Sequence, residues 1–289
     1  MRDVATATQR WNVGAATITS VVEDQLDVPT GFLFPEASEA DVLRHPWLIP
    51  DWADATGTIQ MRTQAFVVEI DGLTVLVDPC VGNGKVRWLP AWNDLDFPFL
   101  ERLADAGCTP GDIELVLHTH LHADHVGWDT HKEGDDWVPT FTAARHLYTE
   151  AELEYARTAG MAGEDVYGDS IAPVFEAGLA DVVATDADLG HGMRLELTPG
   201  HTPGHTSLWI ESAGEHALIT GDFMHHPLQF AEPQIAEIAD ADPDLGRATR
   251  ARMLREMVRT GALVLGAHFP NRPAGRVKVD GDAWRFYPE

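Results

Sequence analysis

Cysteine is nearly missing from this chain. Cys80 and Cys108 are the only two in 289 residues, too few to form a disulfide framework, which fits a reduced compartment. There is no run of about 18 apolar residues, the length a membrane-spanning helix needs. Positive charge is also scarce: 20 Lys and Arg stand against 46 Asp and Glu, a formal net charge of -26. A surface of that sign repels nucleic-acid phosphates and anionic membranes, so neither is expected as a partner. The first residues, Met1-Arg2-Asp3-Val4-Ala5-Thr6, lack the apolar stretch of a secretory signal, and the expected address is cytoplasmic. Internal repeats and long low-complexity tracts are absent as well.

What the chain does have is material for a core, with 44% hydrophobic residues. One domain over residues 1–289 is the expectation. Its most informative segment is His120-Leu121-His122-Ala123-Asp124-His125, directly after the apolar run Ile113-Glu114-Leu115-Val116-Leu117. Four nitrogen or oxygen donors in six positions at a strand end suit metal chelation better than core packing. A chance match to this pattern arises at about 10⁻⁵ per start. Where the strand ends and the backbone turns, His120 and His122 can converge while Asp124 and His125 swing to a neighbouring point, so two adjacent cation sites are more natural than one. Imidazole and carboxylate donors without thiolate suit Zn²⁺ first, with Fe, Mn or Co as substitutes.

Other strand ends offer further donors. Thr198-Pro199-Gly200-His201-Thr202-Pro203-Gly204-His205 follows the alternating segment Met193–Leu197 and reads as a tight loop in which one histidine can reach the metals. Asp222 follows Leu218-Ile219-Thr220-Gly221, and His268 follows Leu263-Val264-Leu265-Gly266-Ala267. Asp78 ends Leu73-Thr74-Val75-Leu76-Val77. It reads either as a turn residue before Pro79 or as an acceptor that orients a ligand imidazole. His118 has the same two readings, strand-end residue or support for a ligand. The isolated histidines His45, His131, His146, His191 and His216 read as surface or core residues.

Taken in order, Thr119-His120-Leu121-His122-Ala123-Asp124-His125, Gly200-His201, Gly221-Asp222 and His268 resemble the metallo-β-lactamase superfamily over roughly residues 60–270. The resemblance implies an α/β (α+β) fold, the four-layer αββα sandwich. It also implies one metal site of His120, His122 and His201, a second of Asp124, His125 and His268, and Asp222 bridging both. His118 through Trp128 and Gly221-Asp222-Phe223-Met224-His225-His226-Pro227 resemble the branch with quorum-quenching lactonases and enzymes like methyl parathion hydrolase. Some of those lactonases carry a tyrosine where this chain has His225. Many zinc β-lactamases carry a cysteine where this chain has Asp222, which argues against a true β-lactamase.

Two adjacent divalent ions define the expected chemistry: a water shared between them ionises near neutral pH to a bridging hydroxide, while one metal polarises the substrate. Asp124 or His225 is the candidate acid for the leaving oxygen. The expected enzyme is a dinuclear metal-dependent hydrolase that opens a lactone or cleaves an ester with an apolar portion. An organophosphate triester hydrolase is the first alternative. A mononuclear-iron oxidative enzyme resembling the persulfide dioxygenases is the second.

The coarse pattern places strands at 15–22, 64–70 and 73–77, with Asp71-Gly72 as a hairpin turn. Further strands are expected at 193–197, 206–211, 217–220 and 263–265. Helices are expected at 96–106 with Asp96 as cap, at 150–158, at 170–177 and at 243–259 with Asp242 as cap and Gly261 beyond the end. Residues 29–55 have no clean period apart from a short helical piece near 38–44. Their apolar and aromatic content reads either as packing against the body or as a pocket wall for an apolar small-molecule substrate or a homodimer contact. Phe32, Phe34, Trp47, Trp52, Phe223 and His226 are the candidate pocket residues.

Overall fold

The computed structural model describes residues 8–158 and 163–289; the opening Met1–Thr6 lies outside them. The strands are β1 (Arg10–Val13), β2 (Ala16–Val28), β3 (Ile59–Ile70), β4 (Leu73–Val77), β5 (Leu115–Leu117), β6 (Thr130–Glu133), β7 (Asp136–Pro139), β8 (Arg145–Thr149) and β9 (Ala180–Val183). They continue as β10 (Asp188–Gly190), β11 (Met193–Leu197), β12 (Thr206–Ser212), β13 (Glu215–Ile219), β14 (Leu263–Leu265), β15 (Ala274–Asp280) and β16 (Ala283–Pro288). One seven-stranded sheet has the order β1-β2-β3-β4-β5-β8-β9, a second runs β10 through β16 in sequence order, and β6 and β7 form a separate hairpin. The mixed α/β class with two large sheets is the one expected.

The chain divides into two compact units. Unit 1 is Met1–Asp24 with Thr63–Thr185, and unit 2 is Gln25–Arg62 with Asp186–Glu289. In unit 1, β4, β5, β8 and β9 are mutually parallel neighbours. Parallel strands finish at the same sheet edge, so the segments after Val77 and Leu117, which are register partners, emerge side by side. In unit 2, β13 and β14 are parallel, with Ile219 opposite Leu265. That pairing brings the ends carrying Asp222 and His268 to one edge.

Local chemistry explains most boundaries. Asp71 and Gly72 have φ of 51° and 82°, the doubly left-handed geometry of a twisted two-residue hairpin turn. The helix Pro243–Thr260 starts where the Asp242 side chain accepts from Leu245 N and stops at left-handed Gly261. Some boundaries differ from expectation. The helix expected at 96–106 is Phe99–Asp105, with Pro98 at the cap position and no side-chain cap from Asp96. A proline disfavours helical backbone in the residue before it, so the helix cannot reach back to Asp96. On Pro243–Thr260, Leu245 is exposed while Arg250 is buried. Arg250 is held there by the carbonyls of Phe223, Pro233 and Ile235 at 2.9–3.1 Å.

Residues 29–55 pack within unit 2. Leu33, Phe34, Val42, Leu48, Trp52 and Ala53 are buried in a core cluster with Phe223, Phe230, Phe269 and Phe286. Burying a large apolar side chain is worth about 2 kcal/mol, so these contacts fix a segment with little regular structure of its own. The expected helical piece forms at Glu39–Leu43, with Ser38 and Asp41 as a reciprocal capping box. Among the described residues, no helix is long and apolar enough to cross a membrane.

Candidate metal centre

Each unit gathers its own set of donors. In unit 1, β5 ends at Leu117 and the chain turns through Thr119–His122 into a single helical turn, Ala123–Val126. The turn folds the motif back on itself. The ring of His120 lies 4.6 Å from that of His122 and 4.1 Å from that of His125, centroid to centroid. Asp124 Oδ2 is 3.6 Å from His125 Nε2. Asp78 lies behind this cluster, with Oδ2 3.0 Å from His125 Nδ1. The same carboxylate accepts the Thr119 N–H and hydroxyl at 2.8 Å each. Asp78 therefore holds the start of the motif by two hydrogen bonds and lies in ion-pair contact with its last imidazole.

His118 points elsewhere. Its Nδ1 meets the Leu147 carbonyl at 2.9 Å, and its Nε2 meets Asp129 at 2.9 Å. Both neighbours are acceptors, a setting that favours the protonated ring. Burial opposes that charge, but Asp129 outweighs it and raises the His118 pKa. Asp129 also takes His146 Nδ1 at 3.2 Å and the Tyr148 hydroxyl at 2.9 Å. No hydrogen bond described for His118 goes to a ligand imidazole; it joins the end of β5 to β8 and Asp129.

In unit 2, three imidazoles surround one oxygen. Asp222 Oδ2 is 3.1 Å from His268 Nε2, 3.1 Å from His225 Nε2 and 3.7 Å from His201 Nε2. Donor atoms of His201, Asp222 and His225 lie within 4.8 Å of one another. The other ring nitrogens are fixed from outside: His268 Nδ1 donates to the Arg62 carbonyl at 2.9 Å, and His201 Nδ1 pairs with Asp240 Oδ1 at 3.1 Å. His205 Nε2 accepts the Asp222 N–H at 2.7 Å, and its Nδ1 pairs with the Thr198 hydroxyl at 2.8 Å. Of the two loop histidines, His201 faces Asp222 Oδ2, and His205 holds the Asp222 backbone.

Electrostatics sort these rings. Burial pushes His201 down to about 4, which leaves it neutral and able to ligate at neutral pH. For His225 burial acts in the same direction, but Asp222 and Glu237 overcome it and hold the ring up at about 9. Glu237 Oε2 is 4.0 Å from His225 Nε2, and burial lifts its own carboxyl to about 7. His225 Nδ1 is buried with no hydrogen-bond partner among the described residues.

Both donor sets fit divalent ions of the zinc type. They consist of clustered imidazoles and carboxylates without thiolate, and in His201 and His268 a hydrogen bond at Nδ1 leaves Nε2 facing Asp222. The pocket candidates lie differently. Phe34, Trp52, Phe223 and His226 are core residues, with at most 2% exposure, and His226 Nε2 donates to the Trp52 carbonyl. Trp47 packs edge-on against Trp52. Phe32 is exposed at 43%. Phe34 and Trp52 carry packing because the short turns of 29–55 direct them inward, and Phe223 joins them in the same core cluster. Sequence reading missed Glu237 and Asp240 as well: they lie in an acidic stretch ahead of a helix and have no characteristic spacing to the histidines.

Residues 60–266 match the metallo-beta-lactamase superfamily, and the chain belongs to that superfamily. An N-acyl homoserine lactonase, AiiA of Bacillus thuringiensis subsp. kurstaki, is 28% identical over 158 residues, which is 54% of this chain and 56% of that protein. The matched region thus spans about half the length of the curated relative. Among solved structures, the dizinc quorum-quenching lactonase AidC superposes with a TM-score of 0.81 at 20% identity over 99% of both chains. The hydrolase AbOPH gives 0.82 at 24% identity over 100% of this chain and 99% of its own. These two likenesses establish the fold.

Proposed function

We propose that the chain is a dinuclear metal-dependent hydrolase that opens lactones or cleaves esters with an apolar portion. In this reading His120, His122 and His201 hold one ion, Asp124, His125 and His268 hold the other, and Asp222 is shared. The observation that carries it is the arrangement of three Nε2 atoms around the single Asp222 oxygen, in a chain whose motif order is that of its superfamily. The ions, when bound, supply an activated water and polarise the substrate carbonyl. Asp78 and Asp240 keep the ligand rings turned inward. His225, the neighbour of Asp222 that brings its own carboxylate partner in Glu237, delivers the proton to the leaving oxygen, with Asp124 as the other candidate. The lactonase name of the 28%-identical relative favours an acyl lactone as substrate.

A screen of the zinc-loaded protein against acyl lactones, aryl esters, phosphotriesters and β-lactams tests this. Lactones or aryl esters are expected to turn over with kcat/KM above about 10⁴ M⁻¹s⁻¹, the lower end of ordinary enzymes. Preference for phosphotriesters would replace the substrate assignment. One iron per chain with oxygen consumption would replace the reaction itself.

A further inference from the structure

We infer that Glu23, on β2 and far from the histidine motif in sequence, is a positioning residue for the Asp78–His125 pair. The inference rests on the metal-centre reading above. Its basis is a strained loop. Asp78 and Cys80 have φ of 53° and 45°, left-handed backbone that non-glycine residues rarely adopt, and Gly82 follows at 79°. Strain of this kind persists only where the surroundings over-determine it, and it concentrates at functional sites. Here the strain aims Asp78, whose carboxylate meets His125 Nδ1 and the Thr119 N–H.

Glu23 supplies the over-determination. It is fully buried. Its Oε2 accepts the Val81 N–H at 2.9 Å, and its Oε1 accepts the Gly82 N–H at 3.0 Å and the Trp128 Nε1–H at 2.6 Å. One carboxylate thus ties the far end of the 78–82 loop to the residue three positions beyond His125. The two backbones are laced between those points: Gly127 N donates to the Cys80 carbonyl at 2.7 Å, and Trp128 N donates to the Pro79 carbonyl at 2.8 Å. Without Glu23, the Val81 and Gly82 N–H groups are buried without acceptors, and the loop gains by relaxing out of its left-handed turns. Asp78 then loses its aim at His125. A glutamine offers one acceptor oxygen and sets an NH₂ against an N–H donor, so even this isosteric change breaks the tie.

The test is zinc binding by the metal-stripped full chain in competition with a chromophoric chelator, with circular dichroism to verify folding. Wild type is expected to take up two equivalents. Glu23→Gln is expected to keep the fold and one equivalent unchanged while the other weakens about tenfold, the scale of losing an outer partner of a ligand. Asp78→Asn should weaken the same equivalent, and the double variant should bind no worse than Asp78→Asn alone, because both act through one imidazole. Unchanged binding in Glu23→Gln, equal weakening of both equivalents, or additive losses in the double variant would each overturn the inference. If Glu23→Gln does not fold, Trp128→Phe removes one donor while retaining the ring stacked on Phe99; it must weaken the same equivalent, and no change overturns the claim. A wild type that binds one ion sinks the dinuclear reading alone. The role of Glu23 then stands only if Glu23→Gln and Asp78→Asn both weaken that ion.

Discussion

Asp222→Ala is expected to remove nearly all hydrolysis together with most of the bound metal. The reason is geometric: the imidazoles of His201, His225 and His268 all face one Asp222 oxygen, at 3.1–3.7 Å. Without that carboxylate, three ring nitrogens crowd a position with no negative charge to attract a cation. Losing an outer partner of a metal ligand costs 10–100-fold in affinity, so losing the shared ligand should exceed about 100-fold. Metal per chain by elemental analysis, read beside the turnover of a reactive lactone, checks both effects. Near-normal turnover with two metals retained would remove Asp222 from the centre. The backbone should tolerate the change, because the Asp222 N–H keeps its bond to His205 Nε2.

Gly127→Ala is expected to have the largest effect on stability. A Cβ at this position would lie 1.7 Å from the Val81 carbonyl oxygen, 2.0 Å from its carbon and 2.7 Å from the Cys80 oxygen. These are backbone atoms that cannot rotate away. Gly127 has ordinary helical backbone, φ -63°, so conformational preference contributes nothing and the cost is pure crowding. The 78–82 loop and the end of the histidine motif must separate, which undoes the Asp78–His125 contact. A loss above about 4 kcal/mol is expected, in the range reserved for severe core damage. Gly111→Ala is the control: its added Cβ meets nothing closer than 4.0 Å, and it should stay within about 0.5 kcal/mol of wild type. Denaturant unfolding of both variants decides the matter, and a small effect at Gly127 would show that the two loops are not closely interlocked.

Much of the framework was legible in the sequence because it is encoded locally. Asp71-Gly72 forces a hairpin by its backbone preferences, and Asp242 and Gly261 bracket a helix by capping. The histidine motif at the end of β5 is informative because metal chelation demands donors at short spacing. Other features lie beyond local pattern. Phe34 and Trp52 look the same in sequence whether they line a cavity or fill a core, and the tertiary path of 29–55 decides for the core. Glu23, Asp129, Glu237 and Asp240 are single carboxylates whose partners are distant in the chain. Each draws its meaning from the groups it meets: three N–H donors for Glu23, two imidazoles and a phenol for Asp129, and the rings of His225 and His201 for the other two. Asp96 shows the opposite case, a good local signal overruled by Pro98.

The central claim is that seven side chains hold two neighbouring ions and that Asp222 is shared by both. The most direct measurement is an anomalous diffraction map of zinc-loaded crystals collected at the metal absorption edge. Two adjacent peaks, both touching Asp222 and divided between His120, His122 and His201 on one side and Asp124, His125 and His268 on the other, are the result this account predicts. A map with no peak at these residues, or with one ion that Asp222 does not touch, would contradict it.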